Sequence, residues 1–226
     1  PFGIHIPEIA RIAAREFQAF IQTESANWNY DFQRQKGKMF GVLVVQLPDS
    51  SLRYLGTVSG KLPANAHCSR FTPSIFDDST DDYFINKGMT ELTELSNQIK
   101  QSQKKAEGTS LQEKRKLKSI ALQQRLFENY KILNRSGEKK NILEIFRDSS
   151  HGNPPSAAGE CAAPKLLHFA FSQNLKPIAI AEFWWGGPIK NLERKDKVFY
   201  PACVDRCRPI LEFILGDYSL YQMGDD

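Results

Sequence analysis

Cys203 and Cys207 stand four residues apart in Phe199-Tyr-Pro-Ala-Cys-Val-Asp-Arg-Cys-Arg-Pro-Ile-Leu211, and Cys161 lies upstream in Gly159-Glu-Cys-Ala-Ala-Pro-Lys-Leu-Leu167. Thiols at i and i+4 leave one face of a helix together. A third thiol at the start of another helix completes a three-thiolate site with one open position, a donor set suited to zinc. The competing reading is three buried thiols acting as small apolar residues, because free cysteine is among the most buried residue types.

The remaining chemistry-bearing residues have weaker partners. His67 and Cys68 are adjacent but have no second pair at ligand spacing, and His168 reads as a half-buried surface residue of the Cys161 helix. Asp77, Asp78, Asp81 and Asp82 form an acidic turn without the glycine and terminal glutamate of a calcium loop. Ser149 and Ser156 have no histidine and acid at a recognisable spacing, so nucleophilic hydrolysis finds no support.

Positive charge is concentrated in two places. From Lys100 to Lys118 seven basic residues face two acidic ones. Within that stretch Lys104, Lys105, Lys114, Arg115, Lys116 and Lys118 form a tip whose charges can track phosphates, or equally a lysine-rich face that only keeps a helix solvated. Lys190, Arg194, Lys195 and Lys197 form the second group, with Arg206 and Arg208 close in sequence. They flank Trp184 and Trp185. Exposed, that pair can stack on unpaired bases; at the end of a buried strand it is core.

At 226 residues the chain can bury a real core without cross-links. Four cysteines and no export signal point to reduced thiols in the cytoplasm. Apolar runs such as Gly41-Val-Leu-Val-Val45 are far shorter than the roughly 20 residues of a membrane span, so no membrane is expected. Residue 1 is proline, and the chain is expected to be a piece of a longer polypeptide.

Apolar steps of three and four from Ile9 to Ile21 predict an amphipathic first helix with Pro7 near its first turn. Lys38 to Gln46 and Leu52 to Ser59 predict a β-hairpin around Leu-Pro-Asp-Ser-Ser. An irregular stretch follows, anchored by Ile75, Phe76 and Phe84. Residues 89–133 predict two long helices broken at Gly108-Thr109, with Ser110 and Glu113 as a capping box that restarts the second. A break at Arg135-Ser-Gly137 leads to a short helix through Ile142, Ile145 and Phe146. A helix from Glu160 to Phe171, a buried strand from Pro177 to Trp185 and a last helix from about Ala202 to Leu215 complete the chain, with Gly216 as the stop.

The expected fold is α/β or α+β, a small mixed sheet flanked by helices, with a projecting antiparallel helical hairpin. Residues 1–87 would carry the first helix and hairpin, 88–134 the coiled-coil-like insertion, and 135–226 the cysteine-bearing part of the core. The insertion is also a candidate homodimer contact.

The element order resembles the first half of the zinc-dependent nucleobase deaminase fold. That resemblance implies Cys161, Cys203 and Cys207 as zinc ligands and places the proton-shuttling glutamate of the family, two residues after the first ligand, at Ala163. Alanine cannot move a proton, and Glu160 and Glu182 stand elsewhere in the pattern. The cysteine spacing also departs from the family's, so deaminase activity is not expected.

A closer resemblance covers most of the chain. Lys38-Met-Phe-Gly-Val-Leu-Val-Val45, Ser59-Gly-Lys61, Leu122-Gln-Gln-Arg-Leu-Phe127, Gly159 to Leu167, Ala181-Glu-Phe-Trp-Trp-Gly186 and Phe199-Tyr-Pro-Ala-Cys203 are similar to the N-terminal extension of large bacterial RluA-family pseudouridine synthases. This implies a parent isomerase that acts on uridine in structured RNA, rRNA or tRNA, through an aspartate in an Arg-Leu-Asp motif. No such string occurs here. The expected role is therefore noncatalytic: an accessory domain that meets RNA and the synthase domain of the same polypeptide.

Overall fold

The computed structural model of the chain describes residues 6–28, 30–62, 68–76, 83–102, 105–149, 151–189 and 193–216, and the side chains at 83, 105–107, 204 and 205 are left aside. The fold is mixed α/β, with six helices, a four-stranded sheet and a two-stranded one among the described residues. Helix α1 (Glu8–Glu24) opens after Pro7 and buries Ala10, Ala13, Ala14, Phe17 and Ile21 as one stripe. Strands β1 (Lys38–Gln46) and β2 (Leu52–Val58) pair antiparallel, Leu43 opposite Leu55. The chain then forms α2 (Tyr83–Gln101), α3 (Lys105–Asn129), a short hairpin of β3 (Lys131–Leu133) and β4 (Lys139–Asn141), and α4 (Ile142–Arg147). Helix α5 (Ala162–Ser172), strand β5 (Lys176–Trp185), strand β6 (Phe199–Tyr200) and helix α6 (Val204–Leu215) follow.

The main sheet runs β2-β1-β5-β6 with antiparallel ladders throughout, and a single parallel bridge joins Gly56 to Phe71. Both faces of β1 are covered, which is why its sequence is a continuous apolar run and not an alternation. Phe40, Val42 and Val44 face the α1 side with Phe17, Phe183 and Trp185, while Leu43 and Val45 face α5 and α6 with Leu166, Cys207 and Ile210. Gly41 lies on this second face. A Cβ there would sit 2.7 Å from the Cβ of Ala162 and 3.5 Å from Cγ of Glu182, so the bare backbone lets the first turn of α5 lie directly on the sheet.

Most expected elements appear close to their expected bounds, α4 with a full Asn141–Glu144 capping box. The break at Gly108-Thr109 does not. Helix α2 ends at Gln101, and α3 starts at Lys105 and runs through Gly108 and Ser110, so the expected break point is helical. One interior glycine costs a helix only about 1 kcal/mol, and good helix formers on either side outweigh it. The C-terminal helix begins at Val204 and not Ala202, because Cys203 has extended backbone and serves as its N-cap.

Candidate metal centre

Helices α5 and α6 both begin with a cysteine. Cys161 is the N-cap of α5 and Cys203 the N-cap of α6, while Cys207 lies one turn further along α6 and is completely buried. The three Sγ atoms lie within 4.8 Å of one another. Thiolates around a tetrahedral zinc at 2.3 Å stand about 3.8 Å apart, so a small contraction suffices. Two helix N-termini, each with a partial positive charge, converge on the sulfurs and favour their ionised form.

The loop before Cys161 is fixed by its own chemistry. Gly159 adopts φ +87°, and a Cβ there would meet Tyr130 Cε1 at 2.8 Å, so only glycine suits the turn into Glu160. Gly60 N donates to Glu160 O at 2.8 Å, and the Ala162 amide donates to Ser59 Oγ at 3.1 Å. Lys165, 2% exposed, donates from Nζ to Gly60 O at 2.7 Å and Val58 O at 3.3 Å, and pairs with Glu160 Oε2 at 3.2 Å. The end of β2 and the start of α5 are thus sewn together beside the thiols.

The thiols share charge. Cys203 is drawn down by its sulfur neighbours, Cys161 first and then Cys207, with the Arg206 backbone assisting. Cys161 is pushed far up by its sulfur neighbours, Cys203 first and then Cys207, and by burial. Cys207 is drawn down by Cys161, but its own bond to Cys203 and its burial leave it at about 12. A divalent cation would meet three clustered sulfurs, and binding it would release the protons they carry.

Two carboxylates approach this cluster. Glu160 uses both oxygens: Oε1 accepts from the Tyr130 hydroxyl at 2.7 Å and Oε2 pairs with Lys165. Tyr130 is buried, and burial first, then Glu160, raises its hydroxyl well above the usual range. Glu182, 5% exposed on β5, accepts the Ala163 amide on Oε1 at 2.8 Å and so caps the second residue of α5. Burial pushes its carboxyl up to about 7 against the pull of that amide, and the Cys203 thiolate adds to the rise.

This buried carboxyl gives the metal-free protein a pH dependence. Glu182 binds its proton more tightly folded than unfolded, so its stabilising contribution is complete below its ordinary 4.5 and is lost as pH rises through about 7. Moving a carboxyl from 4.5 to about 7 corresponds to roughly 3 kcal/mol. In the presence of a chelator, urea unfolding at pH 5 and pH 8 should show that difference between the native chain and Glu182→Gln, with the variant relatively more stable at pH 8. Parallel profiles for the two proteins would refute it.

The other candidate residues are dispersed. Lys104, Lys190, His67, Asp77, Asp78, Asp81 and Asp82 lie outside the described residues, as does the side chain of Lys105. Lys114, Arg115, Lys116 and Lys118 are exposed on α3, where Arg115 donates to Ser96 Oγ at 2.7 Å and Lys118 pairs with Glu91. Lys195 is exposed, Arg194 covers the Tyr200 ring at 3.9 Å and Lys197 the Trp185 ring at 5.2 Å.

The tryptophan pair is core. Trp184 and Trp185 are each 4% exposed, and the Trp184 indole N–H is satisfied by Gly186 O at 3.0 Å and Gly187 O at 3.1 Å. Neither offers a ring face to an unpaired base, which corrects the stacking role. His168 is half-buried, and its Nδ1 accepts the Leu133 amide at 3.0 Å, a tie between α5 and β3. Ser149 donates to Phe146 O at 2.8 Å and closes α4. Cys68 stands apart from the other thiols, and burial raises it.

No family model matches this chain, and no curated protein or solved structure matches it. The site therefore rests on its own geometry. Cys161, Cys203 and Cys207 form a three-thiol cluster that can hold a metal ion. Ser59, Tyr130 and Lys165, which fix the cluster's position, were not singled out in the sequence. For Lys165 a signal existed: a lone charge in the apolar run Ala162 to Ala170, four residues after Cys161.

Proposed function

We propose that this chain is a zinc-holding, noncatalytic accessory domain of an RluA-type RNA pseudouridine synthase, cytoplasmic, that contributes to binding structured RNA. The observation that carries the metal part is the meeting of three sulfurs within 4.8 Å at two helix N-termini. Cysteine sulfurs as the donor set select zinc among the common divalent ions. A noncatalytic role is supported by Ala163, a methyl group where deaminase chemistry needs a carboxylate, and by the absence of an Arg-Leu-Asp string.

The family and the RNA substrate are supported by the strings shared with the synthase extensions and by the exposed cations of α3. Lys114 and Lys116 extend from an exposed stretch of that helix. No described helix is long and apolar enough to cross a membrane. Fluorescence anisotropy of tRNA and rRNA fragments at two salt concentrations tests this part. The native chain should bind with an affinity that falls with salt. A variant with Lys104, Lys105, Lys114, Arg115, Lys116 and Lys118 changed to Gln should lose most of that binding and show a shallower salt slope, by about 0.7–0.9 per phosphate contact removed. Equal binding by both proteins removes α3 as the RNA contact.

A further inference from the structure

Of the three clustered cysteines, two keep part of their surface and one is sealed. Cys161 and Cys203 are half-buried, while Cys207 is completely buried in the core with Ile210 and Leu211 of its own helix. All three Sγ atoms lie within 4.8 Å of one another. The two half-buried residues are also the two N-caps, with extended backbone at φ −72°, ψ 159° and φ −62°, ψ 113°. An N-cap side chain has no preceding helical turn to strike, so it can step between staggered χ1 positions, and one step carries a sulfur roughly 3 Å. Cys207, inside the helix and close-packed, lacks that freedom. The sheet fixes both caps: Glu182 of β5 accepts the Ala163 amide two residues beyond Cys161 and pairs with Tyr200 of β6, three residues before Cys203. Cys68, also half-buried, packs with the core on the other face of the sheet.

We infer that Cys161 and Cys203 form an oxidation site: hydrogen peroxide converts them to a disulfide that joins the starts of α5 and α6 and removes two of the three sulfur donors of the cluster. One of the two sulfurs attacks a peroxide oxygen, the O–O bond breaks, and the departing hydroxide takes up the thiol proton and leaves as water. The second sulfur then attacks the sulfenic acid so formed. The S–S bond forms, the S–O bond breaks, and the hydroxide leaves as water with the second thiol proton. Two electrons pass from the sulfur pair to the peroxide. An S–S bond brings the sulfurs to about 2.05 Å, and one rotamer step spans the difference from 4.8 Å. Release of a bound cation rests on the metal reading, because Cys207 alone cannot hold it; formation of the disulfide does not.

The test exposes the full chain, zinc-loaded and metal-free, to hydrogen peroxide and alkylates the remaining thiols under denaturing conditions. Peptide mass spectrometry maps the linkage, and a chromophoric chelator records zinc. Free thiols should fall from four to two, with Cys161 linked to Cys203 and both Cys68 and Cys207 alkylated, and the loaded chain should release one zinc for each disulfide formed. A thiol reductant should restore all four thiols and zinc binding, which oxidation to sulfinic acids would not allow. Cys68→Ser, on the far face of the sheet, should form the same link at the native rate. A link between Cys203 and Cys207, oxidation that ends in separate sulfinic acids, or four thiols still free overturns the inference, and zinc bound before the treatment leaves the metal centre standing. A chain that binds no zinc yet links Cys161 to Cys203 overturns the metal reading and keeps the disulfide.

Discussion

Cys203→Ala is expected to lose stoichiometric zinc and to lower the melting temperature by roughly 10 °C in zinc-containing buffer. Cys203 supplies one of the three clustered sulfurs, and its two sulfur neighbours draw its thiol down. Two thiols cannot hold the ion at comparable affinity. A ligand present at 1,000 times its dissociation constant stabilises the folded state by about 4 kcal/mol, and in a chain of this size each kcal/mol moves the melting temperature by about 2–4 °C. Because Cys203 is only half-buried at a helix N-cap, its truncation opens no core cavity. The metal-free native chain and the metal-free variant should therefore melt within a few degrees of each other. Metal analysis by mass spectrometry and thermal scans with and without chelator check this directly; equal melting in zinc buffer would leave the thiols as ordinary core residues.

The three clustered cysteines were legible in the sequence because close spacing and helix starts are local signals. Cys207 lies in the first turn of α6 while Cys203 is its extended N-cap and not a helical residue, so the i, i+4 step joined the two thiols to one helix end and not to one helix face, and Cys161 caps another helix whose Pro164 falls in the first turn. The hairpin of β1 and β2 was equally plain from its apolar runs and its turn. The start of α3 was not, because a glycine's cost is small beside the propensity of its neighbours. Strands of three and two residues, such as β3 and β6, carry too few residues for any period to show.

What surrounds the ligands is nonlocal and was mostly hidden. Glu182 pairs across the sheet with Gly41, 141 positions earlier in the chain, and that register brings its carboxylate to the start of α5. The buried state of Trp184 and Trp185 follows from the same register, since β5 is an interior strand with α1 on one face and α5 on the other. The sequence offered one hint: Glu182 interrupts an otherwise apolar strand, and a charge in such a place asks for a partner.

Lys165→Met should cost about 4 kcal/mol of stability, the middle of the range for breaking a buried ion pair. The substitution keeps the apolar stem and its packing but removes the ammonium that joins three elements. Gly60 O and Val58 O lose a donor, and Glu160 Oε2 loses its cation with only about a quarter of its side chain exposed. The consequence reaches the metal centre, because Glu160 immediately precedes Cys161 and its carbonyl holds Gly60 N. Zinc affinity should fall together with stability here. The double variant Glu160→Gln with Lys165→Met should recover part of the loss, since the stranded charge is gone and the Tyr130 hydroxyl keeps an acceptor. Urea unfolding of the native chain, both single variants and the double variant closes the cycle. Strict additivity of the two substitutions would show that the pair contributes no coupling and that Lys165 acts only through the two carbonyls.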